Sequence, residues 1–356
     1  MGDAPNWADA RAAGGNPCLE QTLESYELCC VRSFCVSSRL RGAPARRALS
    51  HMPPPAPPAL PPAPRPQLVE TFPAHHATFD EFAGTLRSAF LYAKIVTLGA
   101  THWPATNRVM LRNRRVGTSL SGVAQFVAQR GLAALRDWCE RGYAVVQAAD
   151  REASEAMAVP RSVKTTCVKP SGTVSLLAGA TPGLHFPEAR FYLRRVRLGR
   201  DHDLLPALRA AGYAVEPAAE DPERKVVVAV PVDAGEGVRT LETVSMWEQF
   251  ALAALLQRHW ADNQVSCTVT FDPEREGPQV ARALDVYQFQ LKGVSLLPRA
   301  PAGAYAQMPY EAISEEAYKR AVAGLRPLAA GRAAAAAAAP LPAPPDAFCD
   351  SPACGV

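Results

Sequence analysis

The clearest hydrophobic pattern lies between residues 68 and 99. Thr78-x-x-Glu81 is typical of a capping box, in which a Thr and a Glu three residues later satisfy the free N–H groups at a helix start. Apolar side chains then recur at helical spacing, at Phe79, Phe82, Leu86, Phe90 and Ala93. The pattern predicts an amphipathic helix with one face in a core.

Helical and strand patterns alternate through much of the remaining chain. Further helical patterns cover residues 122–141, 147–157, 241–260 and 278–291. Strand patterns cover residues 164–168, 225–230, 264–271 and 294–297. After Lys225, the run 225–230 is apolar, which is typical of a strand buried on both faces. Strands that alternate with helices predict an α/β fold with parallel strands.

Three segments depart from this pattern. Residues 1–15 are rich in Ala and Gly, and we expect them to be disordered. Residues 31–67 hold ten of the 33 prolines, and we expect no regular element there. Residues 327–356 form a low-complexity, flexible tail. The predicted divisions are therefore 1–15, a loop at 16–30, an insert at 31–67, a folded body at 68–326 and the tail.

Composition limits the class of protein. Of the 356 residues 48% are hydrophobic, which is enough for one large domain or two ordinary ones. No apolar run approaches ~20 residues and the N-terminus does not read as a secretory signal, so we expect no membrane span. Nine cysteines without such a signal indicate a reducing compartment, and we predict a cytoplasmic location.

The net charge of +4 does not indicate a nucleic-acid partner. The insert at 31–67 contains six arginines and no acidic residue. Removing these arginines changes the net charge from +4 to −2, so the body is nearly neutral. We therefore predict no basic binding face.

Candidate chemistry begins at Asn16-Pro-Cys18-Leu-Glu20. In an extended loop, alternate positions point to the same side, so the amide, thiol and carboxylate would share one direction. A thiol beside a carboxylate suits hydrogen-atom and proton transfer on a small polar substrate. The alternative is a buried structural cysteine between polar surface residues.

Two further motifs carry chemistry. Residues 170–175 (PSGTVS) lie between a strand pattern and an apolar run, where a turn and a helix start can bind an anion. An ordinary helix cap without a ligand is the alternative. Arg114 and Arg115 either meet a ligand or form a salt-bridged turn. Cys349 and Cys354 could bind zinc, but no further ligands lie nearby, and a shuttle dithiol on a tail reaching ~70 Å fits better.

The sequence NPCLEQTLESYELC (residues 16–29) resembles the finger loop of adenosylcobalamin-dependent (class II) ribonucleotide reductases, especially the ribonucleoside-triphosphate reductases. The resemblance continues in residues 165–189, 260–274 and 291–298 and ends at the two tail cysteines. It implies an α/β fold, namely the second half of the family's ten-stranded α/β barrel with its central finger loop, plus the flexible tail. The chain thus resembles the C-terminal half of the family's chain.

The resemblance also implies a reaction and its residues. Ribonucleoside triphosphates would be reduced to 2′-deoxyribonucleotides through a thiyl radical, with adenosylcobalamin as cofactor and thioredoxin as electron donor. Cys18 would carry the radical, Glu20 would be the general base and Asn16 would hold the sugar hydroxyls. Cys29 matches one member of the reducing pair, and Cys349 and Cys354 would re-reduce that pair.

The remaining implications concern binding and assembly. The substrate phosphates would bind the loop residues Ser171, Gly172, Thr173, Val174 and Ser175. The resemblance assigns no cobalamin contact and no protein metal ligand, and it implies a monomer at full length. The iron-dependent class relays its radical through two adjacent tyrosines. Here Tyr305 and Tyr310 are separated by AQMP, which favours cobalamin.

Two alternatives stay open. The chain could be a truncated, non-catalytic remnant or a thioredoxin-linked dithiol protein, because the family's first half-barrel is missing from it. The insert could be a genuine Pro-rich linker. A retained intron fits better, because joining Cys30 to Leu68 restores a family-like ELCCLVETFP. Val31 is encoded by a codon beginning with GT, and Gln67 can be encoded by CAG.

Overall fold

The computed structural model describes residues 9–28, 34–36, 68–100, 103–172, 174–299 and 306–326. The chain divides into two compact units. The first comprises Met1–Arg190 with Ala234–Ala300, and the second comprises Phe191–Asp233 with Pro301–Val356. The single body predicted for residues 68–326 therefore contains parts of both units.

Regular elements alternate along both units. The strands are β1 (Ala12–Gly15), β2 (Thr22–Glu24), β3 (Phe34–Val36), β4 (Leu68–Thr71), β5 (Gly117–Leu120), β6 (Thr166–Cys167), β7 (Phe191–Gly199), β8 (Ala214–Pro217), β9 (Lys225–Asp233), β10 (Thr268–Phe271), β11 (Ser295–Pro298) and β12 (Tyr310–Ala312). The helices are α1 (Phe79–Val96), α2 (Pro104–Asn113), α3 (Val123–Ala156), α4 (Val174–Leu177), α5 (Leu205–Ala210), α6 (Met246–His259), α7 (Val280–Tyr287) and α8 (Glu315–Ala323).

Parallel strands form the centre of the first unit. β3, β4, β5 and β6 lie side by side in that order, and β10 pairs with β11; every pairing is parallel. A parallel bridge between Val168 and Val265 connects the end of β6 to the segment before β10. The α/β class with parallel strands is confirmed for this unit, while closure into a barrel stays a prediction.

The helix predicted after Thr78 is confirmed as α1. The Thr78 hydroxyl accepts a hydrogen bond from the Glu81 amide at 3.4 Å, and the Glu81 carboxylate accepts one from the Ala77 amide at 3.1 Å. Phe82, Leu86 and Phe90 are buried. The periodic apolar face therefore packs into the core, as its spacing predicts.

Other predicted helices differ in their bounds. Two predicted segments, 122–141 and 147–157, belong to one long α3, which is interrupted only at Gly131, where φ is 81° and ψ is 169°. The helix predicted from residue 241 begins at Met246, because Ser245 and Glu248 form a full capping box there. The strand predicted over 264–271 is regular only from Thr268.

The second unit has an antiparallel sheet with strand order β12-β7-β9-β8. The prediction that residues 225–230 form a parallel strand was wrong, since β9 runs antiparallel to both of its neighbours. A short connection joins β8 to β9, which permits antiparallel pairing, whereas a parallel pair needs a long crossover. Val226, Val227 and Val228 are buried, which accounts for the apolar run.

Two segments expected to be irregular contain strands. Ala12–Gly15 forms β1, because the chain reverses after Gly15 and pairs with β2. Phe34–Val36 forms β3 inside the insert, at the edge of the parallel sheet. These three residues are apolar and precede the first proline of the insert, Pro44, so nothing blocks their pairing. Among the described helices, none combines the length and the apolar character that crossing a membrane requires.

Candidate functional site

The motif from Asn16 to Glu20 forms the turn of a β-hairpin made by β1 and β2. The Asn16 amide donates to the Gln21 carbonyl at 3.1 Å, and the Asn16 side-chain oxygen accepts from the Gln21 amide at 3.0 Å. Asn16 therefore fastens its own turn. Asn16 and Glu20 are buried and Cys18 is exposed, so this tight turn gives the three side chains different environments; that they share one direction stays a prediction.

Glu20 is the most unusual side chain of this hairpin. It is 0% exposed, and neither carboxylate oxygen has a hydrogen-bond partner among the described residues. Its backbone carbonyl accepts from the Gln264 amide at 3.2 Å, which holds the residue in place. Burying a carboxylate without a partner is costly, so proteins retain such groups mainly where function requires them.

Cys18 lies within the electrostatic reach of Glu20. Its thiol is free and exposed. Partial burial raises the pKa of Cys18, the negative charge of Glu20 raises it further, and the positive charge of Lys169 opposes both. The hairpin thus places a reactive thiol beside a buried carboxylate, with a cation nearby, which suits paired hydrogen and proton transfer.

One face of the parallel sheet receives the hairpin. Side chains alternate along a strand, and the register pairs Glu70 with Ser119 and Ser119 with Cys167, so these three share a face. A Cβ atom added at Gly117 would lie 2.8 Å from both the Gln21 side-chain nitrogen and the Cys167 sulfur. Gly117 therefore leaves room for Gln21, a residue that sequence reasoning did not select.

Glu70 is a second buried carboxyl group on this face, and sequence reasoning missed it. One oxygen accepts a hydrogen bond from the Ser121 hydroxyl, and the other has no partner among the described residues. Burial raises the pKa of Glu70, against the opposing effects of Ser121, Ser171 and Lys169. The sequence feature that could have identified Glu70 is an acidic residue within the short, otherwise largely apolar strand LVET.

The predicted phosphate loop follows β6. Ser171 has φ = 51°, and its hydroxyl accepts from the Ser175 amide at 3.1 Å, while the Ser175 hydroxyl donates to the Ser171 carbonyl. Gly172 and Val174 are partly exposed, so a ligand can reach them. The helix expected after the loop is only the single turn α4, so a helix dipole contributes little to anion binding there.

Neighbouring groups hold this loop from two sides. The Lys169 amide donates to the Ser119 hydroxyl at 2.8 Å. The Gly183 amide donates to the Ser121 hydroxyl at 3.1 Å, and a Cβ atom at Gly183 would clash with the Lys169 carbonyl. These contacts bring Lys169, the loop and the Glu70–Ser121 pair together at the carboxyl ends of parallel strands, where α/β proteins commonly bind ligands.

Four further residues have structural roles, namely His185, Arg114, Arg115 and Cys267. His185 accepts from the Thr268 amide at 3.1 Å, and its other ring nitrogen lies 3.1 Å from the Pro182 carbonyl. Arg115 forms buried ion pairs, and Arg114 donates to the Thr97 carbonyl, which confirms the salt-bridged turn. Cys267 lies in the hydrophobic core, and burial raises the pKa of its thiol to about 12.

Several predicted site residues lie outside the described part of the chain. They are Cys29, Thr173, Cys349 and Cys354. Tyr305 lies outside it as well. The reducing pair and the tail shuttle therefore stay predictions.

The chain is similar to known proteins along almost its whole length. No family model matches the chain. A Dictyostelium discoideum protein named as a probable adenosylcobalamin-dependent ribonucleoside-triphosphate reductase is 48% identical over 353 residues, which is 99% of this chain and 41% of that protein. The Euglena gracilis adenosylcobalamin-dependent ribonucleoside-triphosphate reductase is 46% identical over 354 residues, which is 99% of this chain and 44% of that protein. The chain spans less than half the length of these curated relatives.

A solved structure gives the same relationship in three dimensions. A B12-dependent (class II) ribonucleotide reductase superposes with a TM-score of 0.71 and 30% sequence identity, covering 89% of this chain and 43% of that one. The alpha subunit of a class Id ribonucleotide reductase from Actinobacillus ureae has a TM-score of 0.50 and 11% identity. That second likeness concerns the fold alone.

Proposed function

Because the chain is homologous to part of the adenosylcobalamin-dependent ribonucleoside-triphosphate reductases, we propose that it supplies the radical hairpin and the phosphate loop of such an enzyme. The reaction is the reduction of ribonucleoside triphosphates to 2′-deoxyribonucleotides by a thiyl radical. The observation that carries this proposal is the exposed thiol of Cys18 beside the buried, unpartnered carboxylate of Glu20. Reduction of the ribose to 2′-deoxyribose requires both hydrogen-atom transfer and proton transfer. The Cys18 thiol can provide the first and the Glu20 carboxylate the second.

The cofactor of the relatives fits the thiol. Adenosylcobalamin, when bound, supplies the radical chemistry that removes the hydrogen atom from a thiol. Cys18 meets the requirement because it is free and exposed rather than locked in a disulfide. The Cys18 thiyl takes the 3′ hydrogen of the ribose, and Glu20 accepts the proton of the 3′ hydroxyl. The free lone pairs of Glu20 are available for that proton.

The loop from Ser171 to Ser175 binds the substrate phosphates. Lys169 precedes this loop and adds a positive charge near both Cys18 and Glu70. Asn16 contributes indirectly, because its side-chain oxygen holds the Gln21 amide and so shapes the turn. We also propose that Asn16 forms hydrogen bonds with the sugar hydroxyls of the substrate. The full-length enzyme is proposed to be a monomer.

Electrons come from thioredoxin. In this scheme Cys29 belongs to the pair that is oxidised as the 2′ hydroxyl leaves as water. Cys349 and Cys354 then reduce that pair by thiol–disulfide exchange and are themselves reduced by thioredoxin. Two thiols beyond an Ala/Pro tether suit such a shuttle, since the tether permits travel between two partners.

The test is nucleotide reduction by the product of the complete native transcript, assayed with adenosylcobalamin and reduced thioredoxin. Cys18→Ser should abolish reduction, because a hydroxyl is a far poorer hydrogen-atom donor than a thiol. Glu20→Gln should lower the rate by about 10²–10⁴, the usual contribution of a general base. Nucleotide binding, measured by equilibrium dialysis, should survive both changes because the phosphate loop is untouched.

Cys139→Ala serves as the matched control, because this thiol is buried in the core and takes no part in the proposed site. Its activity should stay near that of the native protein. Near-native turnover by Cys18→Ser would show that the hairpin assignment is wrong. A native product that binds nucleotides without reducing them would instead favour the non-catalytic remnant.

A further inference from the structure

Arg115 is a buried side chain of the first unit with several polar partners. Its guanidinium is 0% exposed and has four partners. It donates to the Glu27 carboxylate at 3.0 Å and to the Asn263 side-chain oxygen at 3.1 Å. It also donates to the Thr22 hydroxyl at 3.3 Å and forms an ion pair with Asp9.

These partners lie on both sides of the hairpin turn. Asp9 precedes β1, Thr22 begins β2, and Glu27 follows β2. Thr22 in turn donates to Asp9 at 3.0 Å, which closes the network across the base of the hairpin. A single side chain at the entrance to β5 therefore ties the incoming and outgoing segments of the hairpin to the parallel sheet.

A second connection reaches the hairpin tip. Asn263, which accepts from Arg115, also donates to the Val116 and Thr166 carbonyls at 2.9 Å each. The next residue, Gln264, donates its amide to the Glu20 carbonyl. Arg115 thus meets the hairpin at its base directly and at Glu20 through the Asn263–Gln264 segment.

The chemistry of the contact requires arginine. The guanidinium presents several N–H groups in one rigid plane, and here they reach two carboxylates, a hydroxyl and an amide in different directions. A lysine ammonium would keep the charge but not this fixed fork. Loss of the fork should loosen the hairpin, because a compact ammonium cannot hold the buried Glu27 carboxylate and Asp9 in the same geometry. Lys164, 3.8 Å from Asp9, does not replace the contacts to Glu27 and Asn263.

We propose that Arg115 is a positioning residue that holds the hairpin so that Glu20 stays beside Cys18. The roles of Cys18 and Glu20 in catalysis rest on the proposed function, whereas the positioning itself does not. The charged groups that act on Cys18 are Glu20, on its own turn, and Lys169, at the end of β6. A hairpin that loosens moves the Glu20 charge away from the Cys18 thiol.

The experiment measures the apparent pKa of Cys18 in the 356-residue chain, from its rate of alkylation by iodoacetamide as a function of pH. Site-resolved mass spectrometry separates Cys18 from the other cysteines. Arg115→Lys should lower this pKa toward the value in Glu20→Gln, since the first change moves the Glu20 charge away from the thiol and the second removes that charge. At a pH well below the pKa, a decrease of about half a pH unit gives about a threefold faster reaction, because the thiolate is the reacting form.

Arg136→Lys is the matched control, because Arg136 is an exposed arginine paired with Glu140 on α3. It should leave the Cys18 pKa unchanged. If Arg115→Lys does not fold by circular dichroism, Glu27→Gln replaces it, since it removes one charge of the network and keeps an acceptor. A folded variant with an unchanged or higher Cys18 pKa overturns the proposal, as does a Glu20→Gln variant that leaves this pKa unaltered.

The measurement uses neither nucleotide nor cobalamin. A lowered Cys18 pKa in Arg115→Lys therefore supports the positioning role even where the native product fails to reduce nucleotides. In that case the proposed function is wrong, and the positioning role of Arg115 is still supported.

Discussion

At the scale of single residues, two buried carboxyl groups distinguish this site. Glu20 has no partner for either oxygen among the described residues, and Glu70 has one partner for one oxygen. Both lie where a hydrophobic core would ordinarily exclude them, and both are fully buried. Such costs are accepted at sites where a group must remain available for chemistry.

Glu70 should make the chain less stable as pH rises. Burial raises its pKa above the unfolded value, so the folded state binds the proton more tightly than the unfolded state does. Stability is then highest below the unfolded pKa, falls as pH rises toward the folded pKa, and is constant above it. Glu70→Gln should remove this slope. At high pH it should stabilise the chain by about 1.4 kcal/mol for each pH unit that separates the folded pKa from the unfolded pKa.

Urea unfolding at a series of pH values measures the effect. Glu274→Gln is the control, because Glu274 is an exposed glutamate in a turn. A Glu70→Gln variant whose stability follows pH as the unchanged chain does would show that Glu70 does not titrate differently on folding.

At the scale of elements, the loop proposed to bind phosphates, residues 171–175, depends on the turn that ends at Gly183. Gly183 has φ = 52° and packs against the Lys169 carbonyl, while its amide binds Ser121. Gly179 has φ = 66°, but an added Cβ atom there would meet nothing within 4 Å. Both glycines have a positive φ, which disfavours any other residue. Only Gly183 is also packed against a neighbouring backbone atom.

Gly183→Ala should therefore be much more harmful than Gly179→Ala. The left-handed backbone alone costs a non-glycine residue about 1–2 kcal/mol, which both variants incur. Gly183→Ala adds a clash that must displace Lys169 and the loop behind it. Denaturation midpoints measure the difference in stability between the two variants. Equilibrium dialysis with a ribonucleoside triphosphate measures how tightly each variant binds the nucleotide, which reports on the loop. Equal losses in the two variants would mean that the Lys169 contact is readily relieved.

At the scale of the whole molecule, the described part of the insert, β3, lies at the edge of the main sheet. β3 lies outside β4, and the pairings of β4 with β5 and of β5 with β6 do not involve it. The join of Cys30 to Leu68 would thus keep the central strands. This is compatible with a retained intron at residues 31–67.

Reverse transcription across this region should yield a product shorter by the codons for residues 31–67. We expect this because the segment can begin with GT at the Val31 codon and end with CAG at the Gln67 codon, and because joining Cys30 to Leu68 gives a family-like sequence. Genomic DNA amplified with the same primers provides the size of the longer product. Spliced, polyadenylated RNA that gives only the longer product would rule the intron out and leave a genuine linker.

The tail cysteines should separate chemistry from recycling. Cys349→Ser with Cys354→Ser should let the complete enzyme finish a single turnover and then stall with thioredoxin, because the internal pair cannot be re-reduced. Turnover should continue with a small dithiol that enters the cleft directly, as measured by deoxynucleotide formed per enzyme. Unimpaired turnover with thioredoxin would exclude the shuttle.

Local patterns in the sequence determined the elements whose physics is local. The spacing of Phe82, Leu86 and Phe90 and the Thr78 cap were sufficient for α1, because periodicity and capping involve residues three or four apart. The family resemblance identified Cys18 and Glu20 as candidates. The predicted start of a helix was less accurate where a capping residue fixes it, as Ser245 does for α6. In the second unit, the short connection between β8 and β9 decided that these strands are antiparallel.

Only the tertiary structure decided what surrounds those candidates. Arg115 meets Asn263 across 148 positions of the chain, and Glu70 meets Ser121 across 51. The sequence carries no local sign of such partners, because a salt bridge or a buried hydrogen bond depends on distance in space. The same holds for the β1–β2 hairpin: whether Glu20 is buried and Cys18 is exposed depends on the sheet against which the turn packs, not on the residues of the turn alone.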